Sequence, residues 1–313
     1  MNKLLLDFLI CPACLPLELP LESFIRESEG DDITSGHLYC KKCARKYPVN
    51  KGIALLLPDT TAETSSSQDR YEDEKVVSSY LWAHYSDLFC DHDANDAYSA
   101  WSSHFPKTGG IALDAGCAVG RFTFELGQKS SFVMGIDRSY TFVKLARQLF
   151  KKGCLDFPLT MEGDLTEKRT IILPDKLKNQ NVEFIVADAL ALPFSQKIFA
   201  MVSSLNLLDK VPRPLTHLME INRVAHGDNA KFLLSDPFSW SLDSAKKEDW
   251  LGGKKKGKYQ GKGLENVCSI LTEKNGTLRP PWILLKKGVQ PWKIRNHQNH
   301  YEMIRSQFIV ASR

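Results

Sequence analysis

Asp114-Ala115-Gly116-Cys117-Ala118-Val119-Gly120-Arg121 decides the fold. The apolar run Ile111-Ala112-Leu113 before it reads as a buried parallel strand, and Phe122-Thr123-Phe124-Glu125-Leu126 after it as an amphipathic helix. Strand, tight glycine loop and helix in succession let a ligand approach the backbone closely, because glycine carries no Cβ and tolerates positive φ. The start of the following helix favours negative charge. A nucleotide-phosphate loop is the competing reading of the same residues.

Two acids at the ends of later strands separate these readings. Asp137 closes Phe132-Val133-Met134-Gly135-Ile136. It lies about twenty residues beyond the loop, where a carboxylate can accept hydrogen bonds from both hydroxyls of a ribose. Asp188 closes Val182-Glu183-Phe184-Ile185-Val186-Ala187 and precedes Ala189-Leu190-Ala191-Leu192-Pro193-Phe194. The bland alternative is a doubly wound domain whose strands merely end in turn-forming aspartates. Glycine loop, ribose acid and a third acid, in that order at three strand ends, resemble the class I S-adenosylmethionine-dependent methyltransferases. That resemblance implies S-adenosylmethionine as cofactor, held by Asp114, Gly116, Cys117, Gly120, Asp137, Arg138, Asp188, Ala189 and Asn206. Asp188 would face the adenine amino group, and Ala189 would supply a backbone N–H.

Composition suits this reading. The 313 residues are 43% hydrophobic and 25% charged, as in a globular protein of one large and one small domain. No apolar run approaches the ~18–20 residues of a membrane helix, so no membrane partner is expected. The run Leu4 to Ile10 leads straight into Cys11-Pro12 without a small-residue cleavage site and is not read as a signal peptide. A net charge of +4 permits an acidic partner without demanding one.

The eight cysteines are not a disulfide set. Cys11, Cys14, Cys40 and Cys43 form two C-x-x-C pairs, and the others are scattered singles. Two close pairs across a spacer have metal-ligand spacing, and a cytoplasmic setting keeps thiols reduced. Residues 1–58 are therefore expected to be a zinc ribbon, with these four cysteines around one tetrahedral zinc. So short a segment buries too little apolar surface alone, and metal binding would contribute much of its folding energy. Lys41, Lys42, Arg45 and Lys46 would offset the charge of the thiolates. The run from Gly36 to Val49, followed by Gly52-Ile53 and Leu55-Leu56-Leu57-Pro58, resembles the small zinc-ribbon activator of tRNA and release-factor methyltransferases. It is also similar to the ribbon that begins some rRNA guanine methyltransferases. A grip on substrate or partner and a purely structural knob both remain open for it.

Residues 59–70 are polar and Ser/Thr-rich, and read as a linker. From 71 to 313 the pattern predicts an α/β fold, a Rossmann-like sheet of about seven strands. Helical aromatic residues come first, with Tyr80, His84 and Tyr85 as pocket candidates or simple packing. Phe199 to Ser204 and Lys231 to Ser235 are the fourth and fifth strands, and Trp282 to Lys286 with Glu302 to Ser312 a closing hairpin. Ligands in such sheets bind at the carboxyl ends of strands. Asn206 and Asp209, just past strand four, are placed to orient an acceptor and to accept its N–H, unless Asp209 only caps the next segment. Arg295 suits a carboxylate clamp. Trp240 and Trp250 flank an insertion and offer pocket walls, with core packing the alternative role for at least one of them. The lysines between Lys246 and Lys262 read as a solvated, mobile loop, a phosphate-binding patch or a lid.

Six stretches carry a narrower resemblance: Tyr80 to Tyr85, Gly116 to Arg121, Glu162 to Thr166, Asn206 to Asp209, Trp250 to Gly253 and Pro291 to Arg295. Over residues 71–313 they resemble the methyltransferase domain of the ovothiol pathway, which methylates an imidazole nitrogen of a thiolated histidine. That domain is usually joined to a sulfoxide synthase, whereas here a ribbon precedes it, which leaves a different imidazole, an amine or a protein histidine equally open. The expected activity is N-methylation of a small imidazole- or amine-bearing molecule, with His84, Tyr85, Asn206, Asp209 and Arg295 as candidate catalytic residues. An RNA base as acceptor and a non-catalytic scaffold are the alternatives. Oligomeric state is not legible in the sequence.

Overall fold

The computed structural model describes residues 1–58, 69–89, 91–178 and 181–313. The linker expected at 59–70 falls almost wholly outside the described residues, which resume with a 3-10 turn at Asp69–Glu72.

The N-terminal unit opens with two 3-10 turns, Lys3–Asp7 and Pro12–Cys14. Four strands follow: β1 (Glu22–Glu29), β2 (Asp32–Tyr39), β3 (Lys46–Asn50) and β4 (Ile53–Leu56), each antiparallel to the next. In β3, buried Tyr47 and Val49 alternate with exposed Lys46, Pro48 and Asn50, the period of a strand with one covered face.

In the C-terminal unit two helices, α1 (Glu74–Tyr85) and α2 (Ala97–Ser102), come first. The alternating core follows: β5 (Ile111–Ala115), α3 (Arg121–Gly127), β6 (Phe132–Asp137) and α4 (Tyr140–Lys152). Next come a hairpin, β7 (Cys154–Glu162) and β8 (Leu165–Ile172), then β9 (Val182–Ala187) and β10 (Met201–Leu205). The chain ends with α5 (Pro214–Val224), β11 (Lys231–Asp236), α6 (Gly263–Thr272), β12 (Ile283–His297) and β13 (His300–Ser312). Ser139 caps α4 by accepting the Phe142 N–H, and Asp73 caps α1 by accepting the Lys75 and Val76 N–H groups.

All seven strands expected from the sequence form, in the order β9-β6-β5-β10-β11-β13-β12, with β13 antiparallel between β11 and β12. The order reverses between β5 and β10, and that reversal opens a crevice at the carboxyl ends of those strands. β9 and β10 are buried along their whole length, which explains their unbroken apolar character.

The sheet does not stop at β9. β4 pairs with it in parallel, Leu55 opposite Val186 and Leu56 opposite Ala187, so both units share one sheet of 11 strands. Leu5, Leu9, Leu38 and Leu56 of the first unit pack in one core layer with Phe194, Ile185 and Leu218 of the second. On the opposite face, α1 to α4 cover the strands with Trp82, Trp101, Phe122 and Phe142. The junction also has a buried ionic tie: Arg147 of α4 pairs with Asp32 of β2 and with Glu183 of β9. Glu18 and Arg223 form a second tie at 2.9 Å.

The β7–β8 hairpin was not anticipated. Its signal is present as alternation, since Leu155, Phe157 and Leu159 are buried between exposed Cys154, Asp156 and Pro158.

Candidate cofactor and acceptor site

The loop after β5 is wound tightly against the end of β6. The Gly116 and Cys117 N–H groups both donate to the Ile136 carbonyl, at 2.9 and 2.8 Å. Gly116, Ala118 and Gly120 all have positive φ, of 79, 45 and 88°. A Cβ on Gly120 would lie 2.9 Å from the Ala146 side chain and the Phe184 ring, so glycine is required where the loop tucks under α4 and β9. Ala118 fills the corresponding left-handed position in the middle of the loop at the strain cost of a non-glycine residue.

Asp114 anchors this loop from below. It is buried, and it accepts hydrogen bonds from Thr123 Oγ1 and Ser203 Oγ, both at 2.8 Å. Burial pushes its carboxyl up to about 6, with the two hydroxyl bonds opposing and nearby Asp137 adding to the rise. Its place is under the loop, holding β5, α3 and β10 together. Cys117 is also buried, and burial with the two neighbouring acids raises its thiol well above the usual range, which makes it a poor nucleophile.

Asp137 faces the loop. Its two oxygens accept the Ala118 N–H at 3.0 Å and the Ser139 N–H at 2.9 Å. A carboxylate has about four lone-pair sites, so capacity remains for two hydroxyls of a ribose. Glu72, missed by sequence reasoning, accepts from Ser139 Oγ at 2.8 Å beside it. Asp188 accepts the Leu190 N–H through one oxygen and pairs with Arg138 at 2.7 Å through the other. Sequence reasoning placed Arg138 and Asp188 separately; the structure brings them together as an ion pair past the ends of β6 and β9. Ala189 is held through its carbonyl, 3.1 Å from His217 Nδ1. A carbonyl only accepts, so His217 carries its proton on Nδ1, and its Nε2 accepts from Ser204 Oγ at 2.9 Å.

Three elements meet above these strand ends. Tyr85 of α1 donates its hydroxyl proton to the Val119 carbonyl of the loop at 2.7 Å, and Arg121 reaches back to the His84 carbonyl at 3.1 Å. The β7–β8 tip joins α1 through the Thr160 N–H on Ser78 Oγ at 3.0 Å. It joins the β12–β13 tip through the Gln298 N–H on the Met161 carbonyl at 2.9 Å. His84 is buried, its ring 4.2 Å from that of Tyr98, and its Nδ1 has no hydrogen-bond partner among the described residues. Burial and the nearby Arg121 charge lower its pKa to about 3, so it stays neutral.

Beyond β10, Asn206 has a φ of 54°, and its N–H donates to the Ser235 carbonyl at 2.6 Å. Its side chain is half-buried and faces Ser306. Asp209 was read either as accepting an acceptor N–H or as capping the next segment, and the structure turns it inward, in line with the second. It is fully buried and accepts the Ser239 N–H at 2.6 Å, while its own N–H donates to Asp236. This pair ties the end of β10 to the segment after β11. Arg295, expected as a carboxylate clamp, is also buried; it lies 3.2 Å from Met161 Sδ and 3.7 Å from Asp91, and so fastens the β12–β13 tip. Trp250 donates to the Ala245 carbonyl, and Trp240 packs on Phe238, so both order the insertion that follows β11. In that insertion Lys254 and Lys258 lie 5.5 and 4.9 Å from the Tyr259 ring, while Lys255, Lys256 and Lys262 are exposed.

The four cysteines of the N-terminal unit come together with all sulfurs within 4.8 Å of one another. Cys11 and Cys43 are 3.6 Å apart, and Cys14 and Cys40 3.8 Å. Four sulfurs at ~2.3 Å from one tetrahedral zinc stand about 3.8 Å apart, so the cluster fits that ion. His297 and His300 form no comparable group; their rings lie 5.5 Å apart, tilted at 57°, at the β12–β13 turn.

Residues 113–229 match the family model described as a methyltransferase domain, and residues 2–52 the one described as a Trm112p-like protein. No curated protein sequence matches the chain significantly. Solved structures similar to it include a Methanosarcina mazei S-adenosylmethionine-dependent methyltransferase, at 18% identity over 67% of this chain and 95% of that one, with a TM-score of 0.43. Phosphoethanolamine N-methyltransferase 2 of Haemonchus contortus is 18% identical over 61% of this chain and 37% of that one, with a TM-score of 0.41. A complex formed by the Haloferax volcanii Trm112 methyltransferase activator gives 17% identity over 56% and 62%, with a TM-score of 0.36. The chain joins a Trm112p-like domain with a four-cysteine cluster to an S-adenosylmethionine-dependent methyltransferase domain.

Proposed function

We propose that the protein methylates a nitrogen on a small imidazole- or amine-bearing molecule. The observation that carries this reading is the closure over the strand ends: α1, the β7–β8 tip and the β12–β13 tip are hydrogen-bonded to one another through Ser78, Thr160, Met161 and Gln298. Such a roof suits a compact acceptor better than a duplex or a folded protein surface.

The cofactor, when bound, supplies a methyl group already activated by the positive charge on its sulfur. Asp137 would hold the ribose hydroxyls, Asp188 with Arg138 and the Ala189 N–H the adenine, and the Gly116–Gly120 backbone the remaining part. Tyr80, His84 and Tyr85 wall the site on the α1 side, and Asn206 stands at the acceptor end. A neutral imidazole already has a free lone pair at pH 7, so positioning matters more than a base. The inward-facing Asp209 accords with that: no proton need be taken by it.

The Trm112p-like domain would serve as a built-in subunit. It covers the edge of β9, which would otherwise expose unpaired backbone groups. A second reading, an RNA base as acceptor, is favoured by the exposed lysines Lys255, Lys256 and Lys262.

The test is methyl transfer from radiolabelled S-adenosylmethionine by zinc-loaded protein in cell extract, with label counted in small-molecule, protein and RNA fractions. Label in small molecules is the expected result. Label confined to RNA, with steep salt dependence, would replace the proposal with the second reading, and label confined to protein would make a side chain the acceptor.

A further inference from the structure

Asn206 belongs to a three-residue relay whose direction can be read from donor and acceptor chemistry. Trp292 of β12 donates its indole N–H to Ser306 Oγ at 3.1 Å, and Ser306 Oγ lies 2.5 Å from Asn206 Oδ1. Trp292 and Ser306 are both buried, and Ser306 is wholly inaccessible. An indole nitrogen can only donate, so the serine oxygen accepts from it. The serine O–H must then find an acceptor, and Asn206 Oδ1 is the one it has among the described residues.

The opposite placement of the amide would point two N–H groups at an oxygen already accepting from tryptophan. It would also leave a buried serine O–H unpaired, an arrangement that folded proteins avoid. The asparagine amide is therefore set by its neighbours. Its backbone is held too, by the N–H bond to Ser235.

We propose that Trp292 and Ser306 are positioning residues that lock Asn206 as a hydrogen-bond donor toward the acceptor. With Oδ1 turned to the buried Ser306, the group Asn206 presents outward is its Nδ2 amide nitrogen, which bonds to nothing else among the described residues. It donates to a lone-pair-bearing atom, such as a carbonyl or carboxylate oxygen. This assignment rests on the small-acceptor reading for its substrate but not for its geometry. An imidazole acceptor would thus be gripped by an oxygen elsewhere on the molecule, leaving the ring nitrogen that receives the methyl uncovered.

The geometry is tested without any acceptor. Hydrogen exchange of the Asn206 side-chain amide, assigned by its loss in Asn206→Asp, reads which end faces Ser306. Fast exchange of both Nδ2 protons is expected; protection of one of them by the buried serine would overturn the relay. The function is tested on the small-molecule fraction that accepts label, by rate against dilution of that fraction. Ser306→Ala is expected to raise the apparent KM about tenfold while kcat and cofactor affinity by calorimetry stay near those of the parent, and Ser306→Thr to restore it. A Ser306→Ala protein that binds cofactor normally and shows an unchanged KM would refute the positioning role. Trp292→Phe is the second variant: it frees Ser306 to accept from the amide, and slowed Nδ2 exchange there is expected, whereas no change would show that the indole does not set the direction. If no small molecule takes label, the exchange measurement still decides the relay while the small-acceptor reading fails.

Discussion

Asp32 of β2 and Arg147 of α4 lie 2.5 Å apart, 115 residues distant in sequence, and join the Trm112p-like domain to the methyltransferase domain. Arg147 also holds Glu183, and all three groups are largely buried. Burial alone would raise the Asp32 carboxyl, but Lys151, the Met1 ammonium and Arg147 outweigh it and hold the group below its usual range. Removing one member of a buried charged set strands the others. Arg147→Met is therefore expected to cost about 3–5 kcal/mol of unfolding free energy. Urea denaturation measures this, and a loss under 1 kcal/mol would mean that the tie adds little to the shared sheet.

The four-cysteine cluster predicts a zinc site of four sulfur ligands. An X-ray absorption-edge spectrum of the purified protein should show sulfur alone in the inner shell. Chelation should lower the melting temperature and loosen residues 1–58 first, because that unit depends on the metal for much of its stability. A spectrum dominated by nitrogen or oxygen, or a melting curve indifferent to the chelator, would contradict the assignment.

His217 supplies a pH dependence. Burial lowers its pKa to about 4, opposed by its bond to the Ala189 carbonyl and by Asp188. Between ~6.5 and about 4 the unfolded chain thus binds more protons at this position, and stability falls as pH drops through that window. The slope is at most ~1.4 kcal/mol per pH unit. Asp114, raised to about 6, acts the other way, since its contribution is lost as pH rises, so total stability is a poor readout. The difference between the parent and His217→Gln isolates the histidine: it should shrink by about 1.2 kcal/mol from pH 6 to pH 5. A constant difference would show that His217 does not titrate with folding.

Much of the fold was legible because strand ends in this sheet carry both turn chemistry and ligand chemistry. Asp114, Asp137 and Asp188 each close an apolar run; Asp137 accepts from the glycine loop, Asp114 sits beneath it, and Asp188 pairs with Arg138 at the end of β9. The cysteine pairs were legible because thiolate spacing is local. The join of β4 to β9 was not, since nothing in Leu55-Leu56 names its partner strand. Ser306, Trp292, His217 and Arg147 escaped for the same reason: each works through a contact made more than ten residues away. Asp209 and Arg295 show the opposite failure. Charged residues near strand ends looked like substrate ligands, and in the folded chain their charges fasten loops.

The most direct test of the account is calorimetric titration of zinc-loaded protein with S-adenosylmethionine, for the parent and for Asp137→Ala. The parent should bind one cofactor per chain. The variant should keep its far-ultraviolet dichroism and bind about 10- to 100-fold more weakly, as expected for losing hydrogen bonds to a charged acceptor. Equal affinity in the two proteins would remove Asp137 from the site, and no binding by the parent would contradict the cofactor assignment itself.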